Sequence, residues 1–186
     1  MGIFKKTERQ KVTEEQLACD YITMTINGIN QEWSNIKEHF SPYAGCHSEK
    51  LNSEATQVEL VLASIGVNMV WLSILFPTDR AKRIRDHILD RLSELTFGHD
   101  ANEAIESYEL AWKYAKESGE PPLPVLVSVF RDHLCIEYSN LTPFSTDTND
   151  ELKIDFLNIA LCGVIQIVTT MHFKWWRTFH SNYSVI

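Results

Sequence analysis

The chain has 186 residues, 44% of them hydrophobic and 23% charged, with a formal net charge of −8. That length supports one domain with a sizeable core, and these proportions exclude a collagen-like or disordered chain. The acidic balance argues against a protein that coats nucleic acid, and no basic stripe offsets it, so no nucleic-acid partner is expected.

The opening MGIFKKTERQK is basic but lacks the apolar core of a signal peptide, and Lys6 stands where a myristoylation pattern has Ser or Thr. Residues 1–12 read as a flexible tail and 13–186 as a single helical domain. Thr13 and Gln16 have the spacing of a capping box, in which each side chain satisfies an orphaned backbone N–H. Ile22, Ile26, Ile29, Trp33, Ile36 and Phe40 then follow in steps of three and four, one face of a helix that Cys19 extends backwards. Gly28 inside it costs about 1 kcal/mol relative to alanine. Ser41-Pro42 ends that helix, and SPYAGCHSEKLNS is the first substantial loop.

Ser53 opens a second helix, carrying the run VELVLASIGVNMVWLSILF to Phe76, before Pro77. Thr78 and Asp79 are expected to cap a third, with Ala81, Ile84, Ile88, Leu92 and Leu95 facing inward. Its other side holds Arg80, Lys82, Arg83, Arg85, Asp86 and Asp90, and Gly98 is a natural stop. Asp100 and Glu103 suggest another capping box. A fourth helix follows with Ala104, Tyr108, Ala111, Trp112 and Ala115 on one face.

The segment LPVLVSVFRDHLCIEYSNL, around 123–139, reads two ways. Val125, Val127 and Val129 alternate as in a strand, but no Gly or Asn supplies a tight hairpin turn. Leu123, Val127, Phe130, Leu134 and Tyr138 also form one helical face, and the helical reading is preferred. After the turn-rich LTPFSTDTND, a final helix is expected from about 150 to about 181, apolar nearly all round between Phe156 and Phe173. The fold expected is all-α: a single-domain bundle of five or six helices with two central, largely buried helices.

Both apolar runs approach the length of a membrane span. The first, however, contains Glu59, Ser64, Asn68 and Ser73, and the second contains Asn158, Gln166, Thr169, Thr170 and His172. Both carry their basic flank on the C-terminal side, so the positive-inside rule would orient two consecutive spans alike. Burial inside a soluble bundle is the preferred reading, and membrane contact is not expected.

Cys19, Cys46, Cys135 and Cys162 include no C-x-x-C pair. The spacing fits neither a zinc site nor a disulfide scaffold, and they are expected as small core side chains. No phosphate loop, dinucleotide fingerprint or nucleophile elbow is present, and no His has a Glu three positions before it. No metal and no cofactor are expected. Gly98-His99-Asp100 resembles the adjacent His-Asp pair of helical metal-dependent phosphohydrolases, with Asp86, His87, Asp132 and His133 as conceivable further ligands. The resemblance implies His99 and Asp100 as catalytic candidates, although Asp100 has a sufficient role as a helix cap.

The C-terminal FKWWRTFH gathers Trp175, Trp176, Arg177 and Phe179, residue types enriched at binding hot spots, and these are the candidate partner-binding residues. The expected function is that of a non-enzymatic cytoplasmic protein that binds a protein partner or itself, as a homo-oligomer, through helix faces. The alternatives are a phosphohydrolase-like enzyme using His99 and Asp100, and a membrane-peripheral module using the basic start or the aromatic tail.

Overall fold

The structure, a computed structural model, describes residues 9–95, 101–136 and 156–186, with side chains left out of the description at 156 and 171–182. In chain order the elements are β1 (Gln10–Val12), α1 (Glu14–Phe40), two 3₁₀ turns (Ser41–Tyr43 and Gly45–His47), α2 (Ser48–Leu51), α3 (Glu54–Met69), α4 (Leu72–Leu75), α5 (Thr78–Glu94), α6 (Ala101–Ser118), α7 (Pro122–His133), α8 (Phe156–Asn182) and β2 (Tyr183–Val185). The all-α bundle expected from the sequence is what the chain adopts, with α1, α3, α5, α6, α7 and α8 as its longer helices.

The centre is α3. Every residue from Glu59 to Met69 is buried, because α1, α6, α7 and α8 all pack against this helix. The most apolar window of the Glu54–Leu75 stretch is 67% buried within the protein. Its polar residues therefore need partners, and they find them in neighbouring helices. The Ser64 hydroxyl donates to the Val168 carbonyl at 3.0 Å, and the Asn68 amide donates to the carbonyls of Ser64 at 2.7 Å and Thr169 at 3.2 Å. The groups that weigh against a lipid environment in the sequence thus bond α3 to α8.

At both ends of α1 and α3 the local chemistry matches expectation in part. The Gln16 N–H donates to Thr13 Oγ1 at 3.1 Å, but the Gln16 amide turns to Asp20 at 2.8 Å, so one half of the predicted capping box forms. Ser53 caps α3 through the Thr56 N–H. The second helix does not run unbroken to Phe76: α3 stops at Met69, and α4 forms only after the break at Val70–Trp71. The Trp71 N–H bonds the Asn68 carbonyl in a tighter 3₁₀-like turn. α5 has no side-chain cap; it starts directly after Pro77 with Thr78 already inside it.

The predicted stripes on α1, α5 and α6 face the core at Ile22, Ile29, Ile36, Phe40, Ala81, Ile84, Ile88, Leu92, Ala104, Tyr108, Ala111 and Ala115. Leu95 departs from this: it follows the last turn of α5 and is 36% exposed. The cysteines depart too. All four are free, with Cys46 and Cys135 exposed and Cys19 and Cys162 only partly buried.

The ambiguous valine-rich segment is helix through His133, with Val127 and Phe130 fully buried. Pro122 in its first turn suits a helix start, since proline lacks only an N–H that would be orphaned there. The helix ends earlier than its apolar pattern. Cys135 takes a left-handed backbone with φ of 48°, its N–H bonds Asp132, and the Ile136 N–H reaches back to the Arg131 carbonyl at 2.8 Å. This is a Schellman closure with a cysteine where glycine is usual. Tyr138 lies outside the described residues.

Gln10–Val12, at the end of the expected tail, pair in parallel with Tyr183–Val185, in the register Val12 opposite Val185. Beneath them Glu14 accepts from Arg83 at 2.7 Å and Arg80 at 3.0 Å, and Arg80 also donates to the Val185 carbonyl. The Arg83 and Arg80 guanidinium groups hold the Glu14 carboxyl below its ordinary range.

The α3–α6 contact is tightest at Gly66, where a Cβ would stand 2.8 Å from Tyr108 Cβ and 3.0 Å from the Ile105 carbonyl oxygen. Gly66→Ala should destabilise the protein by about 1–3 kcal/mol, because helix backbones have to separate. Gly163, whose Cβ would meet nothing of its own chain within 4 Å, is the control: at dilutions where the chain is monomeric, Gly163→Ala should stabilise by about 0.5–1 kcal/mol. Urea unfolding of both variants checks the pair, and equal effects of one sign would contradict the packing described.

Candidate functional site

The sequence-based candidates fall where the structure describes little. His99 and Asp100 lie outside the described residues. Trp175, Trp176, Arg177 and Phe179 are on the helical backbone of α8, but their side chains are outside the description. Among the described residues no group of three His, Cys, Asp or Glu side chains is placed to hold a metal ion.

A different constellation stands out in the interior. Glu59, on α3 and only 1% exposed, accepts two short hydrogen bonds on the same oxygen. Tyr108 Oη of α6 donates to Glu59 Oε1 at 2.6 Å, and His133 Nδ1 of α7 lies 2.6 Å from that atom. The Tyr108 and His133 rings meet edge to face, with centroids 5.5 Å apart and planes at 80°. One carboxylate oxygen thereby joins three helices.

Each residue is brought there by local structure. Glu59 sits in the second turn after the Ser53 cap, on the side of α3 that turns to α6 and α7. Tyr108 belongs to the buried stripe of α6, brought close by the absence of a side chain at Gly66. His133 is the last residue of α7, immediately before the closure at Cys135, where the terminal carbonyls of a helix favour a cation.

The environments differ in what they do to each proton. Burial, followed by the Glu59 charge, pushes the Tyr108 phenol well above its ordinary value, so it remains a neutral donor. The hydrogen bond to Glu59 raises His133 above the ordinary histidine value, while partial burial opposes the rise. A carboxylate on Nδ1 fixes the imidazole tautomer and ring direction. Acid–base catalysis also needs a reacting group within hydrogen-bond reach. Among the described residues Glu59 is the one hydrogen-bond partner of His133, so the cluster as described binds helices together and holds a proton.

Arg131, fully buried and two residues before His133, donates to Asn158 Oδ1 at 2.8 Å and to the Ile136 carbonyl at 3.4 Å, joining α7 to α8. An open groove of about 450 Å³ lies elsewhere, between α1 and the last strand, lined by Asp20, Met24, Asn27, Gly28 and Tyr183 among others. No family model matches the chain, nor does any curated protein or solved structure.

All three cluster residues are visible in the sequence, but as separate facts: a carboxylate in an apolar run, a tyrosine in a core stripe, and a lone histidine. A buried acid implies a partner. Nothing in the spacing says which of seven histidines supplies it.

Truncation of the acceptor should be severe. Glu59→Ala leaves the Tyr108 hydroxyl and the His133 imidazole facing a void, and should cost about 3–5 kcal/mol. Tyr108→Phe removes one donor to a charged acceptor and should cost about 1.5–3 kcal/mol. Chemical denaturation measures both, and a Tyr108→Phe protein as stable as wild type would remove the hydroxyl from the network.

Proposed function

We propose that this chain is a non-enzymatic, cytoplasmic interaction protein that associates with itself or with another protein through helix faces. The observation that carries the reading is an apolar line on the outside of α8. Ile159 is 60% exposed and Ile167 36% exposed, and Gly163 between them has open space where a side chain would be. Positions four residues apart share one side of a helix, and a glycine there lets a second helix approach closely. The same helix carries Trp175, Trp176, Arg177 and Phe179 further along the chain, the types that dominate interface energetics. The free cysteines support a reducing compartment.

Light scattering on size-fractionated protein over a range of concentrations tests this. A discrete oligomer is expected. Ile159→Glu with Ile167→Glu should weaken it more than tenfold, equivalent to about 1.4 kcal/mol, because a charge would be buried without a partner. Trp175→Ala with Phe179→Ala locates the contact: loss in that variant alone assigns it to the aromatic end, and loss in the isoleucine variant alone assigns it to the middle of α8. A protein that stays monomeric throughout and captures no partner would defeat the reading.

A further inference from the structure

We propose that Glu59, His133 and Tyr108 form a proton-operated clasp, in which an imidazolium at His133 fixes the C-terminal end of α7 to α3 and α6, and loss of that proton loosens it. The geometry favours a positive charge at this point. Glu59 is sealed from water at 1% exposure on a helix surrounded by others, and a buried carboxylate needs compensation as well as hydrogen bonds. Tyr108 supplies a hydrogen bond and no charge. Arg131 is directed to Asn158 and the Ile136 carbonyl. His133 Nδ1, at 2.6 Å, is the group in contact with Glu59 that can gain a positive charge.

His133 is also accessible where Glu59 is not. Its side chain is 23% exposed, so its proton exchanges with solvent without α3 moving. The charges that shift its proton affinity are acidic, Glu59 from α3, Glu103 from α6 and Asp132 beside it on α7, and Tyr108 is neutral; of the nearby cations, Arg131 bonds Asn158 and the Ile136 carbonyl, and Lys50 bonds the Cys135 carbonyl. The described side chains of α8 that adjoin α7, residues 157–170, carry no charge.

The element that moves is the end of α7. Beyond His133 it is held by the Schellman bonds, by the left-handed Cys135, and by the Lys50 ammonium on the Cys135 carbonyl at 3.0 Å. A non-glycine residue in that backbone region is strained, so this end is a favourable place for local opening. The sign of the effect follows from the raised affinity of His133 for its proton. The clasp is fully closed below the unfolded-state value of about 6.5 and is lost as pH rises through the higher folded value.

The test is a histidine NMR titration of the full chain together with amide exchange. The His133 resonance is assigned by its absence from His133→Gln. Its midpoint is expected above about 6.5. Protection factors for residues 126–134, corrected for intrinsic exchange, are expected to fall through that midpoint, by about tenfold for each unit by which it exceeds the unfolded value. In His133→Gln the protection of this segment should be low and independent of pH across the same range. A midpoint at or below about 6.5, protection that ignores the titration, or the same pH dependence in His133→Gln would each overturn the proposal. Should Glu59→Gln fold, its His133 midpoint should drop; an unchanged midpoint would overturn the pairing, and the wild-type and His133→Gln measurements decide the matter without it.

Discussion

A helical stretch with no solvent face has to export its polar requirements to its neighbours, and α3 from Glu59 to Met69 is such a stretch. Its carboxylate, hydroxyl and amide at Glu59, Ser64 and Asn68 are what align the surrounding elements. Apolar burial alone holds helices together without choosing among rotations and slides of similar area. Hydrogen bonds that must be made in the interior remove most of those alternatives, since an unmet group costs about 1–3 kcal/mol. Glu59 sets α6 and α7, while Ser64 and Asn68 set α8. The two groups of contacts lie along α3 in successive turns.

The satisfaction is not complete, and the exception is local. Asn68 uses its amide hydrogens on Ser64 and Thr169, while its Oδ1 has no partner among the described residues. It immediately precedes the place where α3 ends and the chain tightens at Trp71. An orphaned acceptor beside a helix break is consistent with two demands on one residue: to bond α8 and to end the helix. Packing at Gly66 shows the same economy of space, with the backbones of α3 and α6 meeting where no Cβ intervenes.

Much of this architecture is legible before any coordinates. The period of the apolar residues on α1, α5 and α6 gives their inward faces, since one helical face repeats every three or four residues. The two nearly all-apolar helices declare themselves as core elements: α3 is buried all round from Glu59 to Met69, and α8 buries Leu157, Leu161, Val164, Ile165 and Val168 while Ile159 and Ile167 stay exposed. Less legible is what depends on contacts distant in sequence. At the break after Met69, Asn68 bonds Thr169, 101 residues further along the chain. The early end of α7 rests on a cysteine adopting a conformation that its sequence context does not announce. Leu95 matches the α5 period but comes one turn too late to be covered. The Glu59 cluster is the clearest case: burial of the carboxylate is readable, yet its partners lie 49 and 74 residues away. The aromatic end of α8 and the His99–Asp100 pair remain matters of sequence pattern alone.

The pairing of β1 with β2 brings two segments far apart in the sequence side by side. Residues 10–12 lie against 183–185, and the Arg80 that binds Glu14 also holds the carbonyl of Val185. Closing so long a loop is not prohibitive, because the entropic cost grows only with the logarithm of length, about 0.6 kcal/mol per doubling. The strands themselves are only three residues long. Their stability is therefore borrowed from α1 and α5 through the arginine bridge. Any molecule held at β1 is carried beside β2, and the two strands are released or retained together.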